Sequence, residues 1–209
     1  MSSFISRIAE EIISSPVPLH QQMVMLPNQR AEIFLREALK SHLDKPTLLP
    51  LFLTVDGFIS DAGNLLVIEP LVLLIELHKA YSQARQEAHP EQTVESLGSF
   101  LSWGRTLLSD FEEIDRYKLN PQHILGDLYN VQKLAEWDLE PESTTALMGR
   151  YSEFIAVLPS TYTNFKSALL TRGEAYVGLA SRYLSENTAL INHYLNKNGV
   201  KRIIVAGLN

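Results

Sequence analysis

Met23-Val24-Met25-Leu26-Pro27-Asn28-Gln29-Arg30-Ala31 is the stretch that decides the fold class of this chain. Four apolar residues in a row, closed by a proline, have the composition of a short strand covered on both faces. Asn28 then offers a side-chain oxygen to the free N–H groups of a helix, and Ala31, Phe34, Leu35, Ala38 and Leu39 repeat at the apolar spacing of that helix. A second apolar run, Thr47–Leu53, follows, and Thr54 stands where it can cap a short turn around Phe58 and Ile59. Strand, helix and strand within about 30 residues have the size of a βαβ unit. Upstream, Ile5, Ile8, Ala9 and Ile12 predict a first helix, capped by Ser2 or Ser3 and ended by Pro16 and Pro18.

From Pro70 to about Leu184 the periodicity becomes helical. Pro70 suits a first helical turn, with Leu73, Leu77, Ala80, Tyr81 and Ala84 on one face. Leu97, Phe100, Leu101, Leu107, Leu108, Phe111 and Ile114 form a second stripe. Asn120-Pro121 opens a third helix, with Ile124, Leu125, Leu128, Val131 and Leu134 inward. A fourth carries Leu147, Tyr151, Phe154, Ile155 and Leu158 and is expected to break at Pro159. A fifth carries Tyr162, Phe165 and Leu169 and stops at Gly173, and a sixth starts with Tyr176, Leu179, Ala180 and Tyr183. After Asn198-Gly199, Val200–Ala206 reads as another buried strand. The expectation is an α/β chain, mostly helical, with a partial parallel sheet (strands near 23–26, 47–53 and 200–206) and a large all-helical insertion. A final strand with no helix to cover it is an incomplete ending for a parallel sheet, so a chain cut from something longer is expected.

The 209 residues suit one large domain or one domain with a sizeable insertion. At 45% hydrophobic and 20% charged the chain can bury a core, which excludes a disordered reading. Its 18 Lys+Arg against 24 Asp+Glu leave a net charge of −6, which argues against a generic nucleic-acid coat. With no cysteine there is no disulfide, no thiolate metal site and no cysteine nucleophile, as suits a reducing cytoplasm. No apolar run reaches the length of a membrane span, and the acids within the N-terminal apolar pattern argue against a signal peptide, so a cytoplasmic protein is expected.

The strand-to-helix junction at Pro27–Arg30 is where a phosphate-binding loop would stand. Such a loop needs glycines to expose backbone N–H groups, with a lysine and a hydroxyl for phosphate and magnesium. The junction has none of these, which argues against nucleotide hydrolysis there. Arg30, on a helix N-terminus, can still meet an anion such as a DNA phosphate, and Lys197, Lys201 and Arg202 form a small basic patch near the end. Asp110, Glu112, Glu113 and Asp115 flank Phe111 and Ile114 and read as solvated carboxylates rather than a metal site. The six histidines (20, 42, 78, 89, 123 and 193) form no HExxH pattern, and no GxSxG elbow occurs. Trp103, at helical spacing from Phe100 and beside the stripe of Phe111, reads as core rather than as a base-stacking platform.

Six blocks in order resemble one family: residues 23–39, 44–59, 70–81, 100–117, 172–184 and 201–209. The most specific runs from Trp103-Gly104 through Leu107-Leu108-Ser109-Asp110-Phe111 to Ile114-Asp115, and the next is Pro27-Asn28-Gln29-Arg30-Ala31 with Phe34 and Leu35. Together they resemble the N-terminal part of the Bacteroidetes AddB-like proteins of the PD-(D/E)XK nuclease family, which carry an inactivated superfamily I helicase domain. The resemblance implies the first part of a degenerate RecA-like helicase domain at 1–69, a helical insertion at 70–185 and a return to the RecA-like sheet at 186–209. It implies a DNA repair and recombination subunit that works with an AddA-like helicase–nuclease partner on double-strand ends. The magnesium-dependent nuclease of such proteins lies in a C-terminal region beyond these residues. The lysine that binds ATP is missing near Asn28–Arg30, and Ala206-Gly207-Leu208 stands where an acid for magnesium is expected. The expected role is therefore non-catalytic, with no cofactor in this part. Arg30, Lys201 and Arg202 are the candidate DNA contacts. The alternative is a helical protein–protein interaction module with no DNA role.

Overall fold

The computed structural model describes residues 4–127 and 141–207, with 127 and 141–152 described by backbone alone. The chain is mostly helical with a small parallel sheet of three strands, as the apolar patterning predicts. It divides into two compact units, one of residues 1–64 and 184–209, the other of residues 65–183.

The first unit is built on strand β1 (Gln22–Leu26), which lies between β2 (Leu51–Thr54) and β5 (Arg202–Val205). Both pairings are parallel, with Val24 opposite Phe52 and Ile204. Alternate residues of β1 face opposite layers. Val24 and Leu26 pack with Phe52 against Ile8, Ala9 and Ile12 of α1 (Phe4–Ile13) and Leu35 and Leu39 of α2 (Gln29–Lys40). Met23 and Met25 face Phe58 and Ala62 of α3 (Val55–Gly63) and Leu190, Ile191 and Tyr194 of α9 (Thr188–Lys197). Helices on both faces are why β1 carries no exposed, polar side. Gln22 is its one buried polar side chain: Nε2 donates to the carbonyls of Ile12 at 3.0 Å and Val17 at 2.8 Å, tying down the turn after α1.

The strand limits need correction. The ladder of β2 begins at Leu51 rather than Thr47, because Pro50 has no N–H to donate and Leu48 is 73% exposed. The ladder of β5 covers Arg202–Val205 rather than 200–206. Helix α1 ends at Ile13, ahead of Pro16, and the expected caps Ser2 and Ser3 lie outside the described residues. Helix α9 was not expected.

The second unit opens with β3 (Leu66–Val67), which pairs in parallel with β4 (Glu174–Ala175), two short strands not expected from the pattern. Helices α4 (Pro70–Ala88), α5 (Leu97–Arg116), α6 (Pro121–Asp127) and α7 (Pro141–Thr171) follow, and α8 (Val177–Glu186) leads out of the unit. Asn120 Oδ1 accepts from the N–H groups of Gln122 and His123 at the start of α6, as expected. Gly173, at φ +69°, stops α7, where a residue with a Cβ would be strained. The expected inward positions Leu128, Val131 and Leu134 lie outside the described residues, as do the side chains of Leu147 and Tyr151.

Pro159 does not break a helix. The expected fourth and fifth helices are one, α7, with Pro159 inside it. The ring removes one N–H, a defect of about 3 kcal/mol in an isolated helix. Here the buried side chains Ile155, Leu158, Tyr162, Phe165 and Leu169 continue on both sides of the proline, and their burial offsets it. Thr161 and Thr163 donate to the carbonyls of Val157 and Pro159 at 2.8 and 2.9 Å, bonds of the kind that bend helices.

Candidate functional site

In an open parallel sheet, ligands bind beyond the carboxyl ends of the strands. At that end of this sheet, β1 passes through Pro27 into α2, and Asn28 Oδ1 accepts from Ala31 N–H at 3.0 Å. Beside it Thr54 ends β2 and caps α3, its Oγ1 accepting from Gly57 N–H at 3.1 Å. Both caps are the expected ones. Each takes up a helix N-terminal N–H that a bound anion would otherwise use.

The cavity between these two turns measures about 120 Å³ and is lined by Leu26, Asn28, Gln29, Glu32, Phe52 and Thr54, among others. Sites for drug-sized ligands run to roughly 300 Å³ and more, so a whole nucleotide does not fit this one. The Glu32 carboxylate in its wall is paired with Arg36 at 2.7 Å, and the Arg36 guanidinium lies 4.8 Å from the centre of the Phe52 ring. An acid at this position opposes a phosphate chain. The chemistry available is that of a small polar crevice able to hold water or one small polar group.

The three candidate contacts are not brought together. Arg30 lies in the first turn of α2, exposed, past the carboxyl end of β1. Lys201 is also exposed, but it precedes β5, at the amino end of the sheet. The length of the strands, roughly 15 Å, separates the two. Arg202 is engaged: its guanidinium is paired with the Glu11 carboxylate, donates to the Glu11 carbonyl at 3.1 Å and reaches Gln22 Oε1 at 3.4 Å.

Charge is divided unevenly along the chain. Residues 65–183 hold 16 of the 24 Asp+Glu and 10 of the 18 Lys+Arg, so this span carries the whole net charge of −6 and the sheet unit is neutral. Among the described residues no group of three or more His, Asp or Glu could hold a metal ion. Asp110 and Glu113 are exposed, and burial and then the charge of Glu113 raise the Asp110 carboxyl.

Asp115 is not a solvated carboxylate. It is fully buried, and its Oδ1 accepts from the Tyr162 hydroxyl at 2.5 Å and from Arg182 Nη1 at 3.3 Å, while Oδ2 accepts from the Tyr176 hydroxyl. Arg182 also donates to the Leu119 carbonyl at 2.9 Å. Burial, and then the Asp115 charge, push the Tyr176 phenol well above its ordinary range. The sequence held a signal for this: Asp115 lies four residues after Phe111 and beside Ile114, on the apolar stripe itself. With each oxygen satisfied by neighbours, Asp115 is placed to join α5 to α7 and α8 rather than to meet a ligand.

Trp103 is part of a packed aromatic cluster, 4.6 Å from Phe100 and 5.1 Å from Tyr81 between ring centres, and its Nε1 donates to the Glu95 carboxylate. Among the described residues no helix is long and apolar enough to cross a membrane. No protein-family model, no curated protein and no solved structure matches the chain.

Proposed function

We propose that this chain is the non-catalytic, helicase-like N-terminal portion of an AddB-like DNA repair and recombination subunit. In this reading it acts in the cytoplasm as a scaffold beside an AddA-like helicase–nuclease partner during double-strand end processing, and the magnesium-dependent nuclease lies elsewhere in the subunit. The observation that supports it most is the junction of β1 and α2. A central parallel strand leads into a helix, as in nucleotide-binding α/β proteins, yet an asparagine cap and the acid Glu32 occupy the place of the phosphate loop. Arg30 is the DNA contact of this reading, Lys201 a weaker one on the far end of the sheet, and Arg202 the weakest because Glu11 holds it.

The test is fluorescence anisotropy of a labelled blunt-ended duplex at low salt, with and without ATP and magnesium. The expected result is weak, salt-sensitive binding that ATP does not change and that Arg30→Ala reduces. Saturable ATP binding or hydrolysis would overturn the inactive-helicase reading, and no response to DNA at any salt would overturn the nucleic-acid role.

One observation favours the second reading, a helical protein–protein interaction module. The helical span carries all of the net negative charge, which repels DNA and suits a basic protein surface. A saturable protein partner that binds the wild-type chain equally with and without DNA would support it.

A further inference from the structure

Helix α9 ends in a complete backbone cap. Gly199, at φ +64°, turns the chain out of the helix. Its N–H donates to the Asn196 carbonyl at 3.1 Å, and the Val200 N–H reaches back to the Leu195 carbonyl at 2.9 Å. These are the paired bonds of a Schellman motif, which requires the left-handed conformation at the glycine. Leu195 and Val200 both pack against the cluster of Met23, Phe58, Ala62 and Leu184, so the turn is anchored in the core of the sheet unit.

The residue before the glycine is Asn198, in the one Asn-Gly pair of the chain. Such a pair is chemically reactive, because a following residue without Cβ leaves its backbone nitrogen unhindered to attack the asparagine side-chain carbonyl. Asn198 is exposed, so water reaches it. Its folded geometry opposes the attack in three ways. At ψ 4° the Gly199 nitrogen eclipses the Asn198 nitrogen rather than Cβ, where a ring would close. The proton that the Gly199 nitrogen must lose is held by the Asn196 carbonyl. Asn198 Nδ2, the leaving group, donates to the Tyr194 carbonyl at 2.8 Å.

We infer that Asn198 is a latent modification site, a substrate for hydrolytic deamidation that the Schellman motif holds off and that opening of the last turn of α9 releases. In the open turn the Gly199 nitrogen gives its proton to solvent and bonds to Cγ, and the Cγ–Nδ2 bond breaks to release ammonia. Water then opens the cyclic imide at either carbonyl, with no change of oxidation state. One product is aspartate. The other is isoaspartate, whose main chain runs through Cβ and Cγ and is one atom longer. Lys201 N–H donates to the Gln21 carbonyl at 2.7 Å, so only Gly199 and Val200 separate Asn198 from the first bond of the sheet. A link that short has no slack for an added atom, and the isoaspartate chain cannot remake both the cap and the entry to β5. A transient opening of α9 is thereby turned into a permanent change beside β5.

The test incubates the 209-residue chain in mildly alkaline buffer, folded and in guanidinium chloride, and follows Asn198 by mass spectrometry of protease digests. Conversion in the folded chain is expected to be at least about tenfold slower, because the cap bonds must open first. Leu195→Ala and Val200→Ala leave the Asn-Gly pair intact and loosen the cap. Each is expected to convert several-fold faster than wild type while circular dichroism shows a folded chain. Chain converted in denaturant and returned to buffer is expected to show a lower urea midpoint in its isoaspartate fraction. Equal rates in the folded and denatured chain overturn the proposal. So does a folded variant that converts at the wild-type rate, or an isoaspartate chain as stable as the unmodified one.

Discussion

The Tyr162 hydroxyl of α7 donates to Asp115 Oδ1 of α5 at 2.5 Å, in the interior of the helical unit. With Tyr176 and Arg182 on the same carboxylate, a single buried charge holds partners from three directions. Asp115→Ala removes an acceptor shared by two phenols and a guanidinium whose side chain is 12% exposed. Breaking a buried pair from one side costs about 3–5 kcal/mol, so the urea midpoint is expected to fall sharply. Asp115→Asn keeps an acceptor oxygen and is expected to lose less. Equal stability of wild type and Asp115→Ala would show that the network contributes nothing net.

Tyr176 sets an alkaline limit. Its folded-state pKa lies above the ordinary phenol value of 10.0, from burial first and the Asp115 charge second. The unfolded chain therefore loses this proton at a lower pH than the folded one. The resulting stabilisation is fully present below about pH 10 and is lost as pH rises through the raised folded value. Urea midpoints are expected to be insensitive to this group at neutral pH and to fall above pH 10. Tyr176→Phe should flatten that alkaline fall, and an unchanged slope in the variant would assign it elsewhere.

Gly178 lies where α8 packs directly on the backbone of α5. A Cβ there would stand 2.5 Å from the Glu112 carbonyl oxygen, a backbone atom that cannot swing aside. Gly178→Ala therefore has to push the helices apart, against the small gain in helix propensity. A loss of about 1–3 kcal/mol is expected in chemical denaturation. A stabilised variant would mean the contact relaxes without strain.

Local chemistry was legible in the residues, and long-range placement much less so. Asn28, Thr54, Asn120 and Gly173 each act within a few positions of themselves, and all stand where their chemistry put them. β3 and β4 were illegible because each is two residues long and its partner lies over a hundred residues away. Pro159 misleads because propensity is a local quantity, while the buried face that overrides it belongs to the whole of α7. The candidate contacts could have been separated from sequence alone. Arg30 follows its expected strand and Lys201 stands at the start of its own, and in a parallel sheet those are opposite ends.

Arg30 and Lys201 are accordingly expected to act independently on any anionic ligand. Arg30→Ala and Lys201→Ala should each lower the salt slope of DNA binding by about one, if they contact phosphate, and the double variant should show the sum. Strong non-additivity in the double variant would require the two ends of the sheet to share one ligand contact.

The position of β1 at the middle of the sheet has a consequence for synthesis. Its neighbour β2 leaves the ribosome shortly after it, but β5, the other neighbour, emerges only after the whole of the helical unit. The helical unit of residues 65–183 can be complete while one side of β1 is still bare. A nascent chain at that stage displays the apolar flank of Met23–Leu26 to whatever strand is nearby, and pairing across so long a separation is slow. The unit begun before the helical one is thus closed only after it.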